Sequence, residues 1–274
     1  MKITIDGVRI GYDAAGSGDA IVLLHGYLLD RSVWDEQFAG LAVRCRVVRL
    51  DFRGAGESGE GAGPALMEML AGDVCGLLDA LEIERAIIVG HGLGGYAALA
   101  FFRMYTERVA GLALIASDVT DATAERRIES DALAAAIDTR GIGAAVEAYL
   151  PRALAAAAAQ PLVERTRAMM VRQPAAGAAA LLRGMQQRVD SSDLLEDIAV
   201  PVTIIAGAQD AWVAIGAAQR TAAAIASCEF VPLADTGHLP MLEAPRATLT
   251  ALAALAERCV RPAVSQQSAR ATPA

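Results

Sequence analysis

Residues 86–95 read AIIVGHGLGG. The run AIIV is unbroken, apolar and rich in β-branched side chains, so it reads as a short strand buried on both faces. From Leu93 to Tyr105 small and apolar residues repeat with a helical period. Gly90, Gly92, Gly94 and Gly95 occupy the junction, where a sharp strand-to-helix turn favours residues without a Cβ. A G-x-S-x-G sequence in this setting presents a nucleophilic serine. Here the third place of the pattern is Gly92, which has no side chain.

Working outward, similar apolar runs occur at AIVLL (20–24), RVVRL (46–50), VAGLALIA (109–116), VTIIA (202–206) and CEFVPL (228–233). Helical patterns at 31–42, 66–82, 93–105, 213–225 and 244–258 fall between or after them. Strands alternating with helices specify an α/β fold, a mostly parallel, doubly wound sheet under two helical layers. At the start, KITI and VRIGYD flank Asp6-Gly7, a two-residue hairpin signal. The rhythm breaks between 119 and 195, where Ala-, Arg- and Glu-rich stretches are punctuated by Gly141, Gly143, Pro151, Pro161 and Pro174. That interval is too long for a structureless loop, so it reads as a helical lid inserted into the core. Within it ALAAAAAQ (153–160) is expected to be helical, from the propensity of alanine. The expected division is a core over 1–118, a lid over 119–195, a second core part over 196–260 and a disordered tail over 261–274.

Hydrophobic residues are 54% of the 274, enough for a substantial core, while aromatic residues are only 4%. The low aromatic content argues against a stacking platform for large planar ligands and suggests a small, uncharged acyl compound as partner. A net charge of −8 argues against nucleic acid, whose phosphates call for clustered Lys and Arg. The opening MKITIDGVRI lacks the basic and apolar regions of a signal peptide. The longest uncharged stretch, 86–102, is glycine-rich and contains His91, a poor membrane span. Cys45, Cys75, Cys228 and Cys259 show no CxxC spacing and read as reduced thiols, so a cytoplasmic protein is expected. The three histidines lie on separate elements without metal-ligand spacing, and GHGLGG lacks the context of a dinucleotide site; no metal or cofactor is expected.

In an open parallel sheet, ligands bind beyond the carboxyl ends of the strands. The loops there carry His25-Gly26-Tyr27, DFRGAGES (51–58), GHGLGG (90–95), GAQDAW (207–212) and DTGHLPMLEAP (235–245). These five features, in this order, resemble the α/β-hydrolase fold family, in its branch of lidded esterases, haloperoxidases, lactonases and carbon–carbon hydrolases. The resemblance covers roughly residues 1–260. It implies that His238 is the general base and Asp210 the acid that orients it. It also implies that the backbone amides of Tyr27 and Leu93 form the oxyanion hole, and that Gly92 stands where the nucleophile would be.

Each of these residues also has a plainer reading. Asp210 suits an N-cap for the helix beginning near Val213, and His25 and His91 suit structural roles beside the loop and the turn. Asp118 is a weaker candidate acid. Ser58, Ser117 and Cys75 lack the exposed turn of a nucleophile. Trp212, and less directly Trp34, suit the substrate entrance, and His91 sits near it; Tyr12, Tyr96 and Met104 read as packing. Gly92 adopts without strain the positive φ that costs other residues about 1–3 kcal/mol, so the turn survives while the acyl-enzyme is lost. Three functions are therefore open. One is a hydrolase of small esters, lactones or related acyl compounds, inactivated or altered at its nucleophile. The second is a non-hydrolytic lyase, isomerase or cyclase using His238 and Asp210 as acid and base. The third is a small-ligand binding protein.

Overall fold

The computed structural model describes residues 1–259; the tail expected over 261–274 lies outside them. Eight strands form one sheet: β1 (Lys2–Ile5), β2 (Val8–Ala15), β3 (Ala20–Leu24), β4 (Arg46–Leu50), β5 (Ala86–His91), β6 (Val109–Ile115), β7 (Val202–Gly207) and β8 (Cys228–Leu233). Their order is β1-β2-β4-β3-β5-β6-β7-β8. The first two pairings, β1 with β2 and β2 with β4, are antiparallel, and all the others are parallel. Asp6 and Gly7 both take positive φ, 46° and 77°, as a two-residue turn matched to strand twist requires. β3, β5 and β7 are buried along their whole length, which is why their sequences are unbroken apolar runs rather than alternating ones.

The helices are α1 (Asp35–Leu41), α2 (Met67–Ala80), α3 (Leu93–Met104), α4 (Ala124–Arg140), α5 (Gly143–Ala153), α6 (Gln160–Val171), α7 (Ala175–Gln186), α8 (Ile215–Ala223), α9 (Pro240–Glu243) and α10 (Pro245–Cys259). The chain moves outward from β3 to β4 through α1, then returns across β3 to β5 through α2. Right-handed crossovers therefore place α1 and α2 on opposite faces. α3 packs with α2, and α10 with α1, completing the two layers. Because β4, β3, β5, β6, β7 and β8 run parallel, the turns that follow them gather at one carboxyl edge between these layers. No helix among the described residues is long and apolar enough to cross a membrane.

Between β6 and β7 the chain inserts α4–α7, with α4 packed on α7 and α5. Within the alanine run, residues 154–159 are not helical, contrary to the sequence expectation: α5 ends at Ala153, Leu154 is extended (φ −122°, ψ 160°), and α6 begins at Gln160. Tertiary contacts override propensity there, because the Ala155 amide is taken up by the Glu243 carboxylate at 2.7 Å.

Candidate active site

Gly92 joins β5 to α3 with φ 52° and ψ −114°, in the left-handed region that excludes most side chains. Its amide donates to the Ile115 carbonyl at 3.0 Å, which pins the turn to the neighbouring strand. A Cβ built on Gly92 would stand 3.3 Å from Nε2 of His238. Whatever side chain occupied this position would thus face the imidazole at close range. The packing around the turn is equally tight. A Cβ on Gly94 would strike the Leu24 and His25 carbonyls, and one on Gly26 would strike the His91 ring.

His238 lies in the loop between β8 and α9. Its Nδ1 is 2.8 Å from Oδ2 of Asp210, whose side chain is 1% exposed. With Nδ1–H donated to the carboxylate, Nε2 keeps its lone pair toward Gly92. The other oxygen, Oδ1 of Asp210, accepts from the amides of Trp212 (2.8 Å) and Val213 (3.1 Å). Burial alone would raise the Asp210 carboxyl, yet the bond and charge of His238 and these two amides hold it below the ordinary aspartate value. The local amide bonds and the link to His238 coexist on one side chain.

The His238 loop is held by Glu243 at the end of α9. Its carboxylate accepts from the amides of Gly237 (3.0 Å), Leu239 (3.0 Å) and Ala155 (2.7 Å), while the His238 amide donates to the Ala153 carbonyl at 3.2 Å. Across the site, Nε2 of His91 donates to the His238 carbonyl at 2.7 Å. Burial, with a smaller contribution from His238, pushes the His91 pKa down to about 3, so it is a neutral donor. His25 bridges two loops, Nδ1–H to the Gly26 carbonyl at 2.8 Å and Nε2 accepting from the Phe52 amide at 3.0 Å.

The amides of Tyr27 and Leu93 have no hydrogen-bond acceptor among the described residues. Leu93 is the first residue of the twelve-residue α3, where the helix dipole adds partial positive charge. Both residues line a cavity of about 260 Å³ together with Gly92 and His238. His91 and Trp212 line it too. Its wall is a chain of ring contacts: Tyr27 to Tyr149 at 4.8 Å, Tyr149 to Trp212 at 5.1 Å, and Trp212 to His238 at 4.6 Å. Tyr96, read from the sequence as packing, lines the same cavity.

The remaining sequence candidates stand outside the cavity lining, although Ser117 backs onto the turn and its Oγ donates to the Gly92 carbonyl at 3.3 Å. Oδ1 of Asp118 accepts from the amides of Val119 (2.7 Å) and Thr120 (3.3 Å), and does not bond His238. Ser58 donates to the Asp51 carbonyl (2.6 Å), and Ser117 to the Ile115 carbonyl (3.0 Å). The thiol of Cys75 sits against Arg108, 3.7 Å from its Nη1. Trp34 is fully buried in the core rather than at the entrance. Residues that sequence reasoning missed are Tyr149, Glu243 and three arginines on the cavity wall, Arg126, Arg152 and Arg188. Except for Glu243, all of them come from the 119–195 segment, where no motif signals them.

A model of the Alpha/beta hydrolase family matches residues 21–251. Among solved structures, a thermophilic esterase from Thermogutta terrifontis, determined with malate bound, superposes with a TM-score of 0.91 at 31% identity. That match covers 94% of this chain and 98% of that one. The enol-lactonase from Burkholderia xenovorans LB400 gives 0.87 at 27% identity, over 94% and 100% of the two chains. Among curated proteins, an uncharacterized protein of Mycobacterium tuberculosis is 36% identical over 114 residues, which is 42% of this chain. The matched stretch spans 33% of the length of that relative.

Proposed function

The chain belongs to the alpha/beta hydrolase family, and on that premise we propose that it binds small esters, lactones or related acyl compounds and hydrolyses them without an acyl-enzyme. The observation that carries this reading is the Asp210–His238 pair, whose Nε2 faces the side-chain position of a residue that has no side chain. The solved esterase and enol-lactonase, similar over nearly the whole chain, supply the substrate class.

Gly92 offers no hydroxyl, so no covalent intermediate forms there. A water placed between Nε2 of His238 and a bound carbonyl takes the attacking role. His238 removes its proton as the oxygen adds to the acyl carbon, and Asp210 holds the resulting imidazolium. Charge developing on the carbonyl oxygen falls to the amides of Tyr27 and Leu93, donors of a kind worth about 3–4 kcal/mol each in acyl transfer. As the tetrahedral adduct collapses, His238 returns the proton to the leaving alkoxide. Helices α4–α7 act as the lid that closes this space. A site lacking its nucleophile retains roughly 10³–10⁴-fold acceleration over water, so turnover is slow.

A second reading follows from the same dyad. A base with no hydroxyl to serve is also suited to moving a proton on the substrate itself, in an elimination, isomerisation or cyclisation. Hydrolysis of phenyl acetate by the unmodified chain and by His238→Gln separates the two. The proposal expects a rate above buffer that falls to buffer level in the variant. An unmodified chain no faster than buffer, or a variant as fast as its parent, removes the hydrolytic reading.

A further inference from the structure

Arg188 is 7% exposed and lines the cavity. Burying a charge is costly unless an opposite charge accompanies it. Buried charged groups elsewhere in the described residues follow that rule, Asp30 pairing with Arg172, Asp51 with Arg31, and Arg53 with Asp73, while Asp210 is held by His238 and two amides. Among the described residues Arg188 has no carboxylate within the 4.0 Å that defines an ion pair. Its Nε donates to the Thr120 carbonyl (3.0 Å) and its Nη1 to the Met185 carbonyl (3.0 Å). The guanidinium lies 4.2 Å from the centre of the Tyr96 ring, and Nη2 has no acceptor among the described residues.

Two more arginines on the wall are bound in the same way. Nη2 of Arg126 donates to the Trp212 carbonyl (2.9 Å) and Nη2 of Arg152 to the Ala211 carbonyl (3.2 Å), and neither forms an ion pair among the described residues. Glu129 is the only carboxylate among the described lining residues. A chain of net charge −8 thus keeps an excess of positive charge at its cavity. Backbone carbonyls orient these guanidinium groups without neutralising them, which leaves their charge available to a ligand.

We infer that the cavity takes an acyl compound bearing a free carboxylate, which pairs with Arg188 while the reacting carbonyl lies beside His238. This rests on the proposed reading of the cavity as the substrate site, and it departs from the uncharged compound expected from composition. Arg188 would then set preference, favouring carboxylates over neutral analogues, which bind more weakly because they leave its charge buried and unpaired.

Calorimetric titration with the monomethyl esters of succinate, glutarate and adipate, each against its carboxamide analogue, tests the inference. The carboxamides match the acids in shape and lack the charge. The unmodified chain is expected to bind the best carboxylate at least about tenfold more tightly than its carboxamide, as a charge-assisted bond requires. Arg188→Met should lose that preference while binding the carboxamide as before, and Arg167→Met, a change on an exposed arginine of α6, should keep it. Equal affinity for acid and amide, or a preference that survives Arg188→Met, overturns the carboxylate inference and leaves the substrate site standing. Binding of no ester at all overturns both. Should Arg188→Met fail to fold, the acid-to-amide ratio of the unmodified chain still decides the matter, and Arg188→Lys should retain it.

Discussion

Placing a serine at position 92 perturbs one atom pair whose geometry is already known. The added Cβ stands 3.3 Å from Nε2 of His238, closer than most side chains tolerate by a few tenths of an ångström, so the ring shifts slightly. The hydroxyl beyond it then falls within hydrogen-bonding reach of the base. Two effects of opposite sign follow. A non-glycine residue at φ 52° costs about 1–3 kcal/mol, which for a chain of this size lowers Tm by roughly 2–6 °C. In exchange the site gains a nucleophile. Losing the serine from an intact triad costs up to about 10⁶ in kcat, so Gly92→Ser should accelerate hydrolysis of short aryl esters by at least about 10³. The assay pairs p-nitrophenyl acetate and butyrate kinetics with fluorophosphonate labelling, read by intact mass and peptide mapping. Label at position 92 with a large gain in rate marks a disarmed hydrolase. A folded Gly92→Ser chain that neither labels nor accelerates would refute the roles given to His238, Asp210 and the two amides.

Further expectations concern the supporting residues. In the Gly92→Ser background, Asp210→Asn should lower kcat by about 10⁴, because an amide no longer fixes the Nδ1–H tautomer; a loss below tenfold would argue that Asp210 serves only its two amide bonds. Glu243→Gln replaces one acceptor oxygen with a donor against three amides and should lower both Tm and the rate of Gly92→Ser, whereas an unchanged rate would separate the loop from the chemistry. Burial keeps His91 neutral down to about pH 3, against 6.5 for an exposed histidine. The unfolded chain therefore binds protons that the native chain does not as pH falls between those values, and stability declines by up to about 1.4 kcal/mol per pH unit. His91→Asn should flatten urea-unfolding stability across that window, leaving the part due to His25, which burial also depresses; a slope equal to the parent's would remove His91 from the account.

The elements that were legible in the sequence share a property. β3, β5 and β7 are buried on both faces, so each spells itself as an apolar run. The strand-to-helix turn was legible because its constraints are local: positive φ at Gly92 and close approach at Gly94 both act within a few residues of the chain. Asp210 and His238, whose side chains the structure pairs at 2.8 Å, were marked by the loops that follow their strands. The cavity wall was not legible, because its meaning arises between distant segments. Arg188 reads as one arginine in an alanine-rich helical region until Tyr96 is seen against it and no counter-charge is seen among the described residues around it. The run 153–160 misled for the same reason, since an acceptor on Glu243, far along the chain, outweighs alanine's local preference.

Glu243 belongs to the core, yet it grips the backbone on both sides of His238 and the connection between α5 and α6 with a single carboxylate. The base and that edge of the insertion are thus parts of one joint. Displacing the α5–α6 connection pulls on the seat of the imidazole, with no signal passing through the substrate. On the proposed reading, admission of a ligand by that edge and alignment of the base would be coupled through one carboxylate, so a chain held open there would also be a chain held idle.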